Sequence, residues 1–169
     1  MLRKLLELDD RLSNRMHIAE NPGLRRWLAT ILAHSGDSWF WGLGLGLLWL
    51  LGGADWKPLA VTLLLGILIT AALVMVIKFT VRRRRPPGAW GAIYRNTDPH
   101  SFPSGHAARA MMLAVLSAHV GPSWLGWLLL AWSPLVALAR VAMGVHYFSD
   151  ILAGALLGAL AGFSLYSLF

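Results

Sequence analysis

The 169-residue chain has no cysteine, which excludes disulfides and thiolate metal sites and leaves the compartment open. Acidic residues are also scarce: eight Asp and Glu stand against 15 Lys and Arg, for a formal net charge of +7. Such an excess suits an anionic partner, and its placement says which kind. The basic residues sit beside apolar blocks, so lipid headgroups are the expected partner and nucleic acid is not. Long polar linkers, internal repeats and low-complexity segments are missing as well, and 1–169 reads as a single domain. Residues 1–20 lack the continuous apolar core of a cleavable signal peptide. Beyond the pair His146 and Asp150, no Asp, Glu and His residues fall at metal-ligand spacing, so no metal or cofactor is expected.

What the chain has in abundance is apolar sequence, gathered into blocks at about 39–51, 59–77, 110–120, 124–139 and 151–169. A helix needs about 20 such residues to cross a bilayer core of about 30 Å. The second block meets this, and the others reach it with their flanks. A soluble domain of this size could bury one or two such helices, not all of them. Glycines within the blocks suit close helix packing in lipid, and several of the nine tryptophans lie near block ends, as in an interfacial aromatic belt. The expected fold is therefore all-α: a polytopic bundle over 24–169 with about five transmembrane helices, preceded by an amphipathic helix over 1–20.

In that first helix Leu2, Leu5, Leu6, Leu8, Leu12 and Met16 alternate with Arg3, Lys4, Arg11 and Arg15, which suits either a membrane surface or packing on the bundle. The first span is expected over 24–51, interrupted around 35–38. The second runs from about 58 into the arginines 82–85, where Pro86 and Pro87 stop it. The segment 88–103 is too polar for lipid. Spans three, four and five are expected at about 104–121, 123–143 and 149–169. This order places the junction between spans two and three on the same side as the junction between spans four and five.

Three ionisable clusters fall on that shared face. The first is Lys78 with Arg82, Arg83, Arg84 and Arg85. On a continuing helix Lys78, Arg82 and Arg85 share one side, and guanidinium and ammonium groups suit phosphate oxygens. The second is Pro103-Ser104-Gly105-His106 at a helix start. Free amides there suit an anion, Ser104 can cap the helix or donate to phosphate, and His106 can protonate a leaving oxygen. The third is Arg140, His146 and Asp150. Asp150, four residues from His146, can hold its Nδ1 proton and leave Nε2 to attack phosphorus. Taken singly, each has an ordinary explanation: a snorkelling basic run, a capped helix, a structural His–Asp pair. Three phosphate-compatible clusters on one face, at a membrane boundary where charge is costly, favour a task.

Together, Lys78-x6-Arg85-Pro86, Pro103-Ser104-Gly105-His106 and Arg140-x5-His146-x3-Asp150 resemble the three-part signature of the type 2 phosphatidic acid phosphatase superfamily, in order and internal spacing. One departure is Ala139, where the family pattern usually has serine. The resemblance implies a metal-independent lipid phosphatase. His146 would be the nucleophile, Asp150 its orienting carboxylate and His106 the general acid. Lys78, Arg85 and Arg140 would bind the phosphate, with Ser104 and the Gly105 amide completing the cradle.

Arg109, one turn beyond His106, is a candidate for contact with a second phosphate or headgroup, or for pairing with Asp98 or Asp37. Asp37, with His34, interrupts the first span and reads as a kink. Substrates of the undecaprenyl pyrophosphate, phosphatidylglycerophosphate or phosphatidic acid class are expected. The alternatives are a lipid-to-lipid phosphotransferase and a non-enzymatic anionic-lipid binding or transport protein. Positive charge on the active face favours the cytoplasm. Bacterial members of the resembled family work from the outer side of the cytoplasmic membrane, and that side is the one expected here.

Overall fold

The computed structural model describes residues 2–88 and 90–168; the side chains of residues 2, 3 and 93–95 are also outside what is described, so the expectations for Leu2 and Arg3 are not met with coordinates. The described chain is helical: α1 Leu2–Met16, α2 Leu24–Ser35, α3 Ser38–Leu51, α4 Trp56–Val81, α5 Ala92–Thr97, α6 Gly105–Val120, α7 Ser123–Ala142 and α8 Phe148–Tyr166. Three of these, α4, α7 and α8, are long and apolar enough to cross a membrane. The expected first span is two helices, α2 and α3, separated by Gly36 and Asp37. At 16 residues, α6 is shorter than those three.

The bundle is built around α6, which packs against α4, α7 and α8 and buries Met112, Leu113, Ala114 and Leu116 completely. Close approach to α8 depends on glycine at every fourth position. A side chain at Gly158 would run into the Ala108 carbonyl, one at Gly154 into the Ser104 carbonyl, and one at Gly162 would lie 2.9 Å from Val115. On α4, Gly66 makes similar room for Met112 and Leu116. Small residues at helix crossings let backbones approach where lipid supplies no hydrophobic drive. The outer surfaces carry Leu68, Val76, Phe79, Trp127, Leu156 and Leu160, all exposed, the reverse of a water-facing surface.

The basic run departs from the expected continuous helix. α4 ends at Val81, and Arg82 takes a left-handed conformation with φ 53°. The proline pair disfavours helix just ahead of it. Arg82 therefore leaves the face shared by Lys78 and Arg85 and bonds back to the Phe79 carbonyl at 2.8 Å. Beyond it the chain runs extended, and Arg84 pairs antiparallel with His100. Ser101 N–H donates to the Arg83 carbonyl at 2.8 Å. This short pairing brings the segment ahead of α6 alongside the arginines.

α1 sits against α7 and α8 through its polar side. Asp9 accepts from the Ser149 amide, and Ser13 Oγ from the Phe148 amide, each at 2.9 Å. Both are first-turn amides of α8, which lack partners within the helix. Leu5, Leu6, Leu8 and Leu12 remain exposed on the opposite side. Packing on the bundle is thus seen for one face of α1, and the exposed leucines form the other.

Candidate active site

A cavity of about 220 Å³ opens where α4, α6 and α7 meet the loops of the polar face. Lys78, Arg85, Asp98, Gly105, His106, Arg109, Arg140 and His146 line it, with Thr70, Ala71, Val74 and Met75 along α4 and Ser38 from α3. The three clusters are more than 60 residues apart in sequence at their extremes, and the bundle brings one or more members of each to this one space.

Lys78 is 3% exposed, on the last turn of α4. It donates to the Asp98 carboxylate and, at 2.8 Å, to the His100 carbonyl. Arg85 is fixed from several sides: Nε donates to the Asp98 carbonyl at 2.7 Å, Nη2 to Asp98 Oδ2 at 2.8 Å and Nη1 to the Val145 carbonyl at 2.9 Å. The same Nη1 is 3.1 Å from Nε2 of His146. Arg140 is fully buried in the last turn of α7.

His146 lies in the link between α7 and α8 and is 1% exposed. Its Nδ1 is 3.6 Å from Oδ2 of Asp150, longer than a hydrogen bond, and it has no hydrogen-bond partner among the described residues. The expected Nδ1–Asp150 hydrogen bond is therefore not formed. Asp150 is the third residue of α8 and His146 lies in the link before that helix begins, so the i, i+4 geometry of a continuous helix does not apply. Its Oδ2 instead accepts from the Tyr147 amide at 2.9 Å, and its Oδ1 accepts from Arg83 at 2.8 Å. Burial drives the imidazole pKa down to about 3, with Arg85 and Arg140 adding to the effect and Asp150 opposing it. His146 is thus neutral, as a nucleophile must be.

Ser104 caps α6, its hydroxyl accepting from the Ala107 amide at 3.4 Å. Of its two expected roles, this is the one seen. Its own amide donates to the Asp150 carbonyl at 2.9 Å, tying the second cluster to the third. Ala139 packs with Ala29, Ala33 and Met143 against α2 and does not line the cavity. The missing serine hydroxyl therefore vacates an apolar helix contact.

Three residues take roles that the sequence reading did not assign to them. Asp37 is more than a kink: its Oδ1 meets His106 Nε2 at 2.6 Å and its Oδ2 meets His34 Nδ1 at 3.0 Å. A carboxylate interrupting an apolar span was the available signal. Arg83 joins Asp150 to Asp9, at 2.8 Å on each side, and stacks 4.0 Å from the Tyr147 ring centroid. Nothing in a run of four arginines singles it out. Asp98 belongs to Lys78 and Arg85, so it does not pair with Arg109. Arg109 donates to the Gly36 carbonyl, and of the two expected carboxylates Asp37 is the one whose charge acts on it.

Residues 59–169 match the pattern of the PAP2 superfamily. The chain belongs to that superfamily. PAP2 membership covers α4 through α8 and every cluster of the cavity. The decaprenylphosphoryl-5-phosphoribose phosphatase of Mycobacterium tuberculosis is 33% identical over 159 residues, covering 86% of this chain and 80% of that protein. The Aquifex aeolicus protein LpxE has the same fold, with a TM-score of 0.74 at 25% identity over 95% of each chain. A transmembrane PAP2-type phosphatidylglycerolphosphate phosphatase of Bacillus subtilis superposes with a TM-score of 0.73, covering 98% of this chain and 86% of that one, at 23% identity. The chain is a PAP2 phosphatase and an integral membrane protein.

Proposed function

We propose that this PAP2 phosphatase hydrolyses a phosphate mono- or diphosphate ester of a lipid through a phosphohistidine intermediate, acting as a single membrane-embedded domain. One observation supports this above the others: the buried cations Lys78, Arg85 and Arg140 and the imidazoles of His106 and His146 line a single cavity, with Val74 and Met75 of α4 on an apolar part of its wall. Phosphate oxygens are held by Lys78, Arg85 and Arg140, which neutralise the charge that accumulates as the ester breaks. His146 Nε2 attacks phosphorus. The bond from phosphorus to the lipid oxygen breaks, its electron pair stays on that oxygen, and His106 supplies the proton. His106, now neutral, takes a proton from water. The resulting hydroxide attacks the phosphohistidine, the P–N bond breaks and its pair returns to His146. Asp150 stabilises the imidazole while it carries positive charge. The Ser104 cap and the Gly105 amide hold the helix start open to the anion.

The reading extends to five spans, with α2 and α3 together making the first and α6 the third, and α1 lying in the interface on its exposed leucines. The active face looks outward from a bacterial cytoplasmic membrane. The substrate belongs to the undecaprenyl pyrophosphate, phosphatidylglycerophosphate or phosphatidic acid class. The relatives named for decaprenylphosphoryl-5-phosphoribose and phosphatidylglycerolphosphate fall within this range of lipid phosphates. Phosphate release from a panel of these lipids by the purified protein, beside His146→Ala, tests it. Release from at least one lipid, lost in the variant, is the expected result; a folded variant with full activity contradicts it.

A further inference from the structure

The cavity continues past the catalytic groups into the membrane-facing depth of the bundle, and its far end is polar. α4 ends at the active face and α6 begins there, so the two run antiparallel. Their contacts fix the register: Gly66 faces Met112, and a side chain at Gly105 would lie 3.4 Å from Val74. Between these two levels, Thr70 on α4 stands opposite Arg109 on α6. Both line the cavity, as do Val74, Gly105 and His106 nearer the mouth and Lys78 at the mouth itself. Thr70 is two helical turns, roughly 12 Å, below Lys78, and Arg109 is roughly 4.5 Å below His106 along its helix.

Each polar group at the deep end keeps an open donor. Thr70 is 1% exposed, and its hydroxyl has no hydrogen-bond partner among the described residues. A helical threonine usually turns its hydroxyl to the carbonyl four residues back, as Thr30 and Thr80 do here at 2.9 and 2.8 Å. Arg109 uses one nitrogen on the Gly36 carbonyl, while its buried Nε has no partner among the described residues. A guanidinium at this depth is costly, and buried donors left open point to a ligand that completes them.

We propose that Arg109 and Thr70 form a second anion site, for the phosphate next to the leaving oxygen of a lipid diphosphate. This rests on the phosphatase reading above. With the reacting phosphate on Lys78, Arg85 and Arg140 and the leaving oxygen at His106, whatever is bonded to that oxygen lies further down α6, at Arg109. In a monophosphate ester that group is a carbon, which has no use for a cation. In a diphosphate it is the second phosphorus, whose oxygens take the guanidinium and the Thr70 hydroxyl. Val74 and Met75 then border the start of the hydrocarbon chain. The chemistry is unchanged: His146 attacks the terminal phosphorus, the bridging bond breaks towards the second phosphate, and His106 protonates the bridging oxygen or leaves it as the anion that Arg109 neutralises.

The test is the ratio of kcat/KM for farnesyl diphosphate to that for farnesyl monophosphate, measured on the purified full chain in detergent. Arg109→Gln keeps a donor for the Gly36 carbonyl and loses the charge; its ratio is expected to fall by about tenfold or more. Arg109→Lys, which restores the charge, is expected to recover most of the ratio. Thr70→Val keeps the shape and is expected to lower the ratio by about threefold, so the site remains testable if Arg109→Gln does not fold. Equal losses on both substrates would make Arg109 a clamp for the α2–α3 break and overturn the site, as would unchanged ratios in folded variants. A wild-type protein that releases phosphate from a lipid of the panel but not from farnesyl diphosphate would also overturn the site, whereas no release from any lipid, or full activity of His146→Ala, would overturn the phosphatase mechanism itself.

Discussion

His146 carries the chemistry in this account because it is buried, neutral and within reach of two bound cations. Its replacement by alanine is expected to lower phosphate release by roughly three orders of magnitude or more, with the melting temperature read alongside. Its environment also has a signature in stability. The unfolded imidazole binds a proton near pH 6.5, whereas the folded one does so only near 3. Between these values the unfolded chain holds more protons, so this residue's share of stability is full above about pH 6.5 and falls as the pH drops towards 3. Wild-type melting temperature in detergent should therefore drop more between about pH 7.5 and about pH 5 than that of His146→Gln. Equal drops would show that His146 is not held neutral by burial. At this scale the sequence was legible where spacing matters and silent where contacts are long-range. Arg85, His106, Arg140 and His146 could be chosen by pattern. Asp37 could not be joined to His106, 69 residues away, nor Asp9 to Arg83, 74 residues away.

At the level of elements, the site depends on how closely α6 approaches α8, because one holds His106 in its first turn and the other holds Asp150. Gly158→Val would push a side chain into the Ala108 carbonyl. A loss of about 1–3 kcal/mol is expected from such overpacking, seen as a lower melting temperature together with lower activity. α1 contributes through Asp9 rather than through its leucines. Asp9→Ala removes an acceptor from the Ser149 amide and leaves Arg83 with Asp150, the Ser149 hydroxyl and the Tyr147 ring. The expected cost is about 1–3 kcal/mol, and activity should fall with it, since Arg83 helps set the Asp150 carboxylate. Helix existence was clear from block hydrophobicity, except for the short α5 in the polar stretch, and boundaries fell within a few residues of where prolines and glycines put them. The end of α4 was the exception. Four arginines are good helix formers, and only the backbone shows that the chain leaves the helix at Arg82, turning Arg83 and Arg85 inward and Arg82 outward.

For the whole molecule, the open matter is which way the phosphate pocket faces across the bilayer. The lack of native cysteine makes this directly measurable. A cysteine at Asn96 is expected to react with an impermeant maleimide added outside intact cells, and one at Gly53 only after the membrane is opened. The reverse pattern would place the pocket in the cytoplasm, in line with the positive charge of α1 and α2. The broad architecture, apolar helices with one polar end, was legible from composition and parity. Convergence of the clusters on one cavity depends on the antiparallel register of α4 and α6, which no single helix encodes.

The most direct test of the central claim is to quench the purified protein during turnover of a lipid carrying radiolabelled phosphate and to locate the label. An acid-labile, base-stable phosphoryl group on His146, absent from His146→Gln, is the expected result. Steady turnover with no label on any histidine, or label retained by His146→Gln, would contradict it.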